Sequence, residues 1–157
     1  MVLFLGFIYT AVNVEAVNRA VVNWLTEVHQ THTDLSIGVE NGNINLSDVQ
    51  VKWVPNTIKI EKMDTEEALF NLLYNGQSVG SITCRNSNSN LSINTEDGKT
   101  TYLSIFGYDT VMLVEREGAI MLVALNTDIV ITIICITSSG YEFTTGEVLN
   151  ILQNIDY

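Results

Sequence analysis

The chain has 157 residues, of which 18 are Asp or Glu and 7 are Lys or Arg, so its formal net charge is −11. The length and a hydrophobic fraction of 46% exclude a disordered chain and predict one globular domain over residues 1–157. A surface this acidic repels nucleic-acid phosphates and anionic lipid headgroups. Nucleic acid and membrane are therefore excluded as expected partners, and a basic protein is favoured.

Two elements are predicted before residue 30. Residues 1–9 are strongly apolar but lack the basic stretch of a signal peptide, so we predict a buried first strand and a cytoplasmic protein. An apolar stripe at helical spacing then predicts a helix from about Val14 to His29. The stripe consists of Val14, Val17, Val21, Trp24 and Val28.

The next segment has the period of a strand. Apolar and polar residues alternate from Leu35 to Leu46, and Asn41-Gly42 in the middle is a strong hairpin signal, which predicts two antiparallel strands. The alternation slips by one residue at Asp48, where we expect a bulge or a break. Pro55, the only proline, should end the following strand because it cannot donate to a β-ladder.

A second helix is predicted between Asp64 and Gly76. An N-cap residue and two first-turn acids mark its start, and the glycine would end it. Its buried face would consist of Ala68, Leu69, Leu72 and Leu73.

The C-terminal half predicts a β-meander followed by a helix. Residues 111–114, 119–125 and 129–136 are apolar on both alternating sets, so they should be central strands covered on both faces. Thr144 and Glu147 have the spacing of a capping box, which predicts a terminal amphipathic helix. The expected fold class is therefore α+β: a mainly antiparallel twisted sheet with a C-terminal β-meander, flanked by about three helices.

The sequence carries no defensible catalytic or metal-binding motif. Cys84 and Cys135 lie inside predicted strands without CxxC spacing, which favours buried free thiols. His29, His32 and Asp34 are too few for a convincing metal site, and no G-x-S-x-G nucleophile elbow is present. We therefore predict a protein that is not an enzyme and has no metal and no cofactor.

The favoured hypothesis is an acidic protein-binding domain. Its most concrete form is an immunity or antitoxin-type inhibitor, which would neutralise a basic toxin such as a nuclease by occluding the cationic active-site groove. Carboxylates displayed on a rigid scaffold would supply the charge, and two aromatic residues would anchor the partner. The predicted contact residues are Glu61, Asp64, Glu66, Glu67, Glu96, Asp97, Glu115 and Glu117, with Trp53 and Tyr108 as the anchors.

Two alternatives remain open at this point. The first is a secretion chaperone or adaptor that acts as a homodimer and holds a client segment along a sheet edge. The second is a small ligand-binding domain or enzyme with a pocket between helices and sheet.

Overall fold

The computed structural model describes residues 23–28, 32–38, 44–64, 68–87, 91–95 and 98–157. Its helical elements there are a 3₁₀ turn (Leu46–Asp48) and one α-helix, α1 (Thr145–Gln153). The strands are β1 (Asn23–Val28), β2 (His32–Gly38), β3 (Gln50–Val51), β4 (Lys59–Asp64), β5 (Ala68–Tyr74), β6 (Gln77–Asn86), β7 (Leu91–Asn94), β8 (Lys99–Leu103), β9 (Thr110–Arg116), β10 (Ala119–Leu125), β11 (Ile129–Ile136) and β12 (Ile155–Asp156).

A seven-stranded antiparallel sheet dominates the fold. Its strand order is β4-β5-β6-β11-β10-β9-β8, so β6 pairs with β11 across a long stretch of chain. A second sheet has the order β1-β2-β7, and β3 and β12 form a short antiparallel ribbon. The described part of the chain is therefore mainly β.

The main core lies between one face of the large sheet, helix α1 and the segment 44–58. On β11, Ile129, Ile131 and Ile133 point into it, while α1 contributes Ile151 and Leu152 from its buried side. The segment 44–58 adds further buried side chains and closes the remainder of this face. A second, smaller core on the opposite face consists of Ile93 from β7 together with Met112, Val114, Val123, Leu125 and Val130.

The fold class predicted from the sequence is wrong, because the described residues hold one short α-helix instead of about three helices. The segment predicted as the second helix begins at the last residue of β4 and, beyond residues 65–67, which lie outside the described residues, forms β5 and the turn after it. Ala68, Phe70 and Leu72 are buried at every second position, which is the period of a strand. Asn75 and Gly76 both have positive φ, 50° and 79°, as a two-residue hairpin turn requires. The glycine read as a helix end is therefore part of a β-turn.

The predicted first helix is wrong in the part that the structure describes. Its last residues, from Asn23 to Val28, form β1, which pairs with β2 in register. The earlier part of that prediction, with the predicted first strand, lies outside the described residues. Of the hairpin predicted around Asn41-Gly42, the first strand is confirmed as β2, the second is wrong because Leu46 begins a 3₁₀ turn, and the turn itself lies outside the described residues. The break expected at Asp48 is confirmed by that turn.

Three other predictions are confirmed. Strands β9, β10 and β11 form the predicted meander in the middle of the large sheet. Thr144 and Glu147 form a complete capping box at the start of α1. Cys84 and Cys135 are buried free thiols in β6 and β11, and burial raises the pKa of each to about 12. In the described part of the chain no helix is long and apolar enough to cross a membrane.

Candidate functional site

The predicted acidic contact residues do not form one patch where the structure describes them. Glu61 is exposed on β4 and Glu115 is half-buried on β9, five strand positions away in the same sheet. At the usual strand spacing that is about 24 Å. Glu61 pairs with Asn71, which points away from the main core, whereas Glu115 accepts a hydrogen bond from Thr145 on the α1 side. The two carboxylates therefore point to opposite faces of the sheet.

The other predicted contact residues have separate positions. Asp64 ends β4, and Glu117 is exposed in the turn between β9 and β10. Trp53 and Tyr108 are half-buried and both pack against the main core. Glu66, Glu67, Glu96 and Asp97 lie outside the described residues.

A groove at the end of the molecule where α1 finishes brings Tyr108 together with side chains that the sequence did not single out. Its volume is about 840 Å³. One wall is the loop between β8 and β9, and the other is the β3–β12 ribbon with the last turn of α1. The groove is lined by Asp48, Gln50, Lys52, Ile105, Phe106, Gly107, Tyr108, Leu152, Gln153, Ile155, Asp156 and Tyr157.

Phe106 stands at the rim of this groove on a tight turn. The Tyr108 amide donates to the Ile105 carbonyl at 3.2 Å, and Gly107 has a φ of 92°, which residues other than glycine rarely adopt. The turn leaves the Phe106 ring fully exposed to solvent. Sequence reasoning missed this residue, although a signal was present: a large apolar residue directly before a turn glycine falls at an outward-pointing turn position.

A hydrogen-bond network fixes this turn to the last residue of the sequence. The side-chain amide of Asn126 donates to the Gly107 carbonyl at 3.0 Å and to the Tyr157 hydroxyl at 2.8 Å. Burial, together with the neighbouring Tyr157, raises the pKa of Tyr108 well above its usual range, so its hydroxyl stays protonated at neutral pH. The backbone of this turn and the Tyr157 hydroxyl are therefore held in place.

The polar wall of the groove carries charge on a rigid ribbon. Val51 pairs with Ile155, and both side chains turn inward to the main core. Lys52 and Asp156 turn outward and form an exposed ion pair through Nζ and Oδ2. Asp48 accepts a hydrogen bond from Asn45 Nδ2 at 2.9 Å, and the Ser47 hydroxyl lies 3.2 Å from its other oxygen. The Asp48 side chain is exposed and lies within the hydrogen-bonded 3₁₀ turn.

The opposite end of α1 has a smaller recess of about 370 Å³, where Glu115 in its lining and the nearby Glu147 serve the fold. Glu147 accepts hydrogen bonds from the Thr144 amide at 2.8 Å and from the Tyr141 hydroxyl at 3.0 Å. Burial opposes the charged form of Glu147, yet these hydrogen bonds outweigh it and lower the pKa of its carboxyl. Glu115 is likewise bound by the Thr145 hydroxyl at 2.6 Å. These carboxylates are occupied by internal partners.

A metal centre finds no support in the described part of the chain. No three His, Cys, Asp or Glu side chains there lie close enough together to hold an ion. His32 begins β2, and His29 lies outside the described residues.

Comparison with known proteins gives one family. The model of a domain of unknown function, DUF4367, matches residues 48–155, which include the large sheet, α1 and nearly all of the groove. No curated protein and no solved structure matches the chain. Since the matched region covers more than half of the sequence, the chain belongs to the DUF4367 family.

Proposed function

We propose that this protein is a non-enzymatic protein-binding domain and that the groove beside Phe106 is its contact site. The observation that carries the proposal is the fully exposed Phe106 ring on a hydrogen-bonded turn. An aromatic residue of this kind, pre-positioned at the edge of a half-apolar groove, is the typical anchor of a protein interface. Because Asn126 already fixes the backbone of the turn, little backbone conformational entropy is lost when a partner covers the ring.

The partner in this proposal is a basic protein. The net charge of −11 would accelerate its approach, and the groove itself contains Asp48 beside the Lys52–Asp156 ion pair. Inhibition of a basic toxin is the most specific form of the proposal, and it is supported by the acidic composition alone. The sheet places Glu61 and Glu115 on opposite faces, so the contact proposed here centres on the groove and not on a patch formed by those two acids.

The test is a partner capture followed by measured binding. Partners retained by the wild-type chain from its native host would be identified by mass spectrometry, purified and titrated by calorimetry. Phe106→Ser should weaken the affinity at least about tenfold, as expected for an interface anchor. Tyr102→Ser is the matched control, because Tyr102 is an exposed aromatic residue on the edge strand β8 and does not line the groove.

Two results would contradict the proposal. One is an affinity that is lost equally in the Phe106 and Tyr102 variants. The other is a bound partner whose association rate is indifferent to ionic strength, since attraction between an acidic domain and a basic protein weakens as salt rises.

A further inference from the structure

We infer that the groove receives a cationic side chain of the partner, most favourably an arginine within an extended segment, and that Lys52 occupies this position until the partner binds. The inference rests on the proposed function and specifies the chemistry of the ligand. The observation behind it is that the Lys52 ammonium already lies in the groove, paired with Asp156.

The walls of the groove suit a long cationic side chain. Ile105 is half-buried and offers apolar surface for a methylene stem, Leu152 and Ile155 lie buried behind the groove, and Phe106 and Tyr157 offer aromatic rings. Lysine and arginine pack their stems on apolar surface while the charged head group stays at a polar rim. A guanidinium also stacks on aromatic rings and binds a carboxylate through two parallel hydrogen bonds, which an ammonium cannot do.

The electrostatics at this end of α1 point the same way. The C-terminal end of a helix carries partial negative charge, and the last turn of α1 contains no basic residue, although Asn154 caps its last carbonyls. Leu152 and Gln153 from that turn line the groove. Asp48 adds a carboxylate to the same groove, and the Lys62 ammonium is bound to the neighbouring Ser47 carbonyl at 2.8 Å. Asp156 is therefore the carboxylate that an incoming cation would bind once Lys52 has left it.

Displacing the Lys52 side chain from Asp156 costs little free energy. The Lys52 and Asp156 side chains are 55% and 58% exposed, and exposed ion pairs contribute little because water already screens them. The backbone amide of Lys52 stays bound to the Asn154 carbonyl at 2.8 Å, so the ribbon does not depend on the side-chain pair. Lys52 can therefore leave Asp156 without unfolding the groove wall.

The experiment measures binding of defined peptides to the full chain by ¹⁵N-detected NMR titration. The probe is the peptide Gly-Leu-Arg-Leu-Gly, and its matched control carries citrulline, a neutral isostere, in place of arginine. The arginine peptide should shift the amide signals of Phe106 and Asp156, and the citrulline peptide should bind at least about fivefold more weakly, in line with the strength of charge-assisted hydrogen bonds.

The variants separate this inference from general charge attraction. Lys52→Met removes the competing cation and should tighten binding of the arginine peptide about two- to fivefold, the range expected for an exposed ion pair. Lys59→Met changes the net charge equally, but Lys59 is exposed at the start of β4 and does not line the groove, so this variant should leave the affinity unchanged. Asp156→Asn should weaken binding.

Each outcome decides a different point. Equal binding of the citrulline peptide, no binding of either peptide, or equal tightening by Lys52→Met and Lys59→Met would overturn the inference. The proposed function would still stand in those cases if Phe106→Ser abolished binding of the captured partner. If Phe106→Ser instead left binding of the captured partner unchanged, the proposed function would be overturned even if the peptides bound.

Discussion

The two ends of helix α1 use polar and aromatic side chains for opposite purposes. At the N-terminal end, Glu115 and Glu147 are taken up by hydrogen bonds from Thr145, Thr144 and Tyr141, which fix the helix to its surroundings. At the C-terminal end, hydrogen bonds instead fix the backbone of a turn and leave the Phe106 ring facing solvent. A charged residue in the sequence therefore predicts a partner-binding site poorly, because the fold decides whether that residue forms internal hydrogen bonds or faces a partner.

The largest expected effect, a loss in the free energy of unfolding, tests whether packing of α1 on the large sheet holds both ends of the helix in place. Ile151 is fully buried between the helix and the large sheet, and Ile151→Ala should lower the free energy of unfolding by about 2–5 kcal/mol through lost burial and a residual cavity. Urea denaturation measures the change. Gln153→Ala, an exposed substitution on the same helix, should stay within about 0.5 kcal/mol. Equal losses in the two variants would refute this assignment of the helix faces.

A smaller effect tests the structural role of the N-terminal end. Thr144→Ala removes the side chain that accepts from the Glu147 amide at 3.2 Å, and the expected loss is about 1 kcal/mol at pH 7. Thr144→Ser keeps the hydroxyl and should restore most of it.

The pH dependence of that effect follows from the carboxyl of Glu147. Its folded-state pKa lies below the ordinary value of 4.5, so its contribution to stability is present above that value and is lost as the pH falls through the folded-state pKa. The difference between wild type and Thr144→Ala should therefore narrow when urea denaturation is repeated near pH 3. A difference that stays constant with pH would show that Glu147 takes no part in the cap.

The smallest effect on stability is expected at the groove. Phe106→Ala removes a ring that is fully exposed, so the free energy of unfolding should change by less than about 0.5 kcal/mol while partner binding is lost. Thermal unfolding of the two proteins, side by side, measures this. A marked loss of stability would mean that Phe106 belongs to the fold, and the contrast between the two ends of α1 would disappear.

Sequence patterns correctly predicted the secondary-structure elements that depend on residues close together in the chain. The capping box of α1 depends on Thr144 and Glu147 in one turn, and the continuous apolar run of residues 119–125 is typical of a strand covered on both faces. The segment 68–74 failed because Ala68, Leu72 and Leu73 fit a helical face as well as a strand. What decided it is the pairing of β5 with β4 and β6, a tertiary contribution that overrides local propensity.

The candidate site was predicted only in part. Tyr108 was selected from its position near a turn, and it does line the groove. Phe106, which also lines it, was overlooked. The acids were predicted to act together only because the chain contains many of them. No local pattern shows that Glu61 and Glu115 point to opposite faces, because that depends on which strands lie between them.

The sequence alone determined the acidic charge, the central meander, the terminal helix and the two buried thiols, because each follows from composition or from residues close together in the chain. Only the tertiary structure decided that the molecule is mainly β and that Phe106, Lys52 and Asp156 share one groove. The reason is the pairing of β6 with β11, together with the pairing of β3 with β12: both join distant segments, and a chain forms such contacts only as part of the whole packed fold.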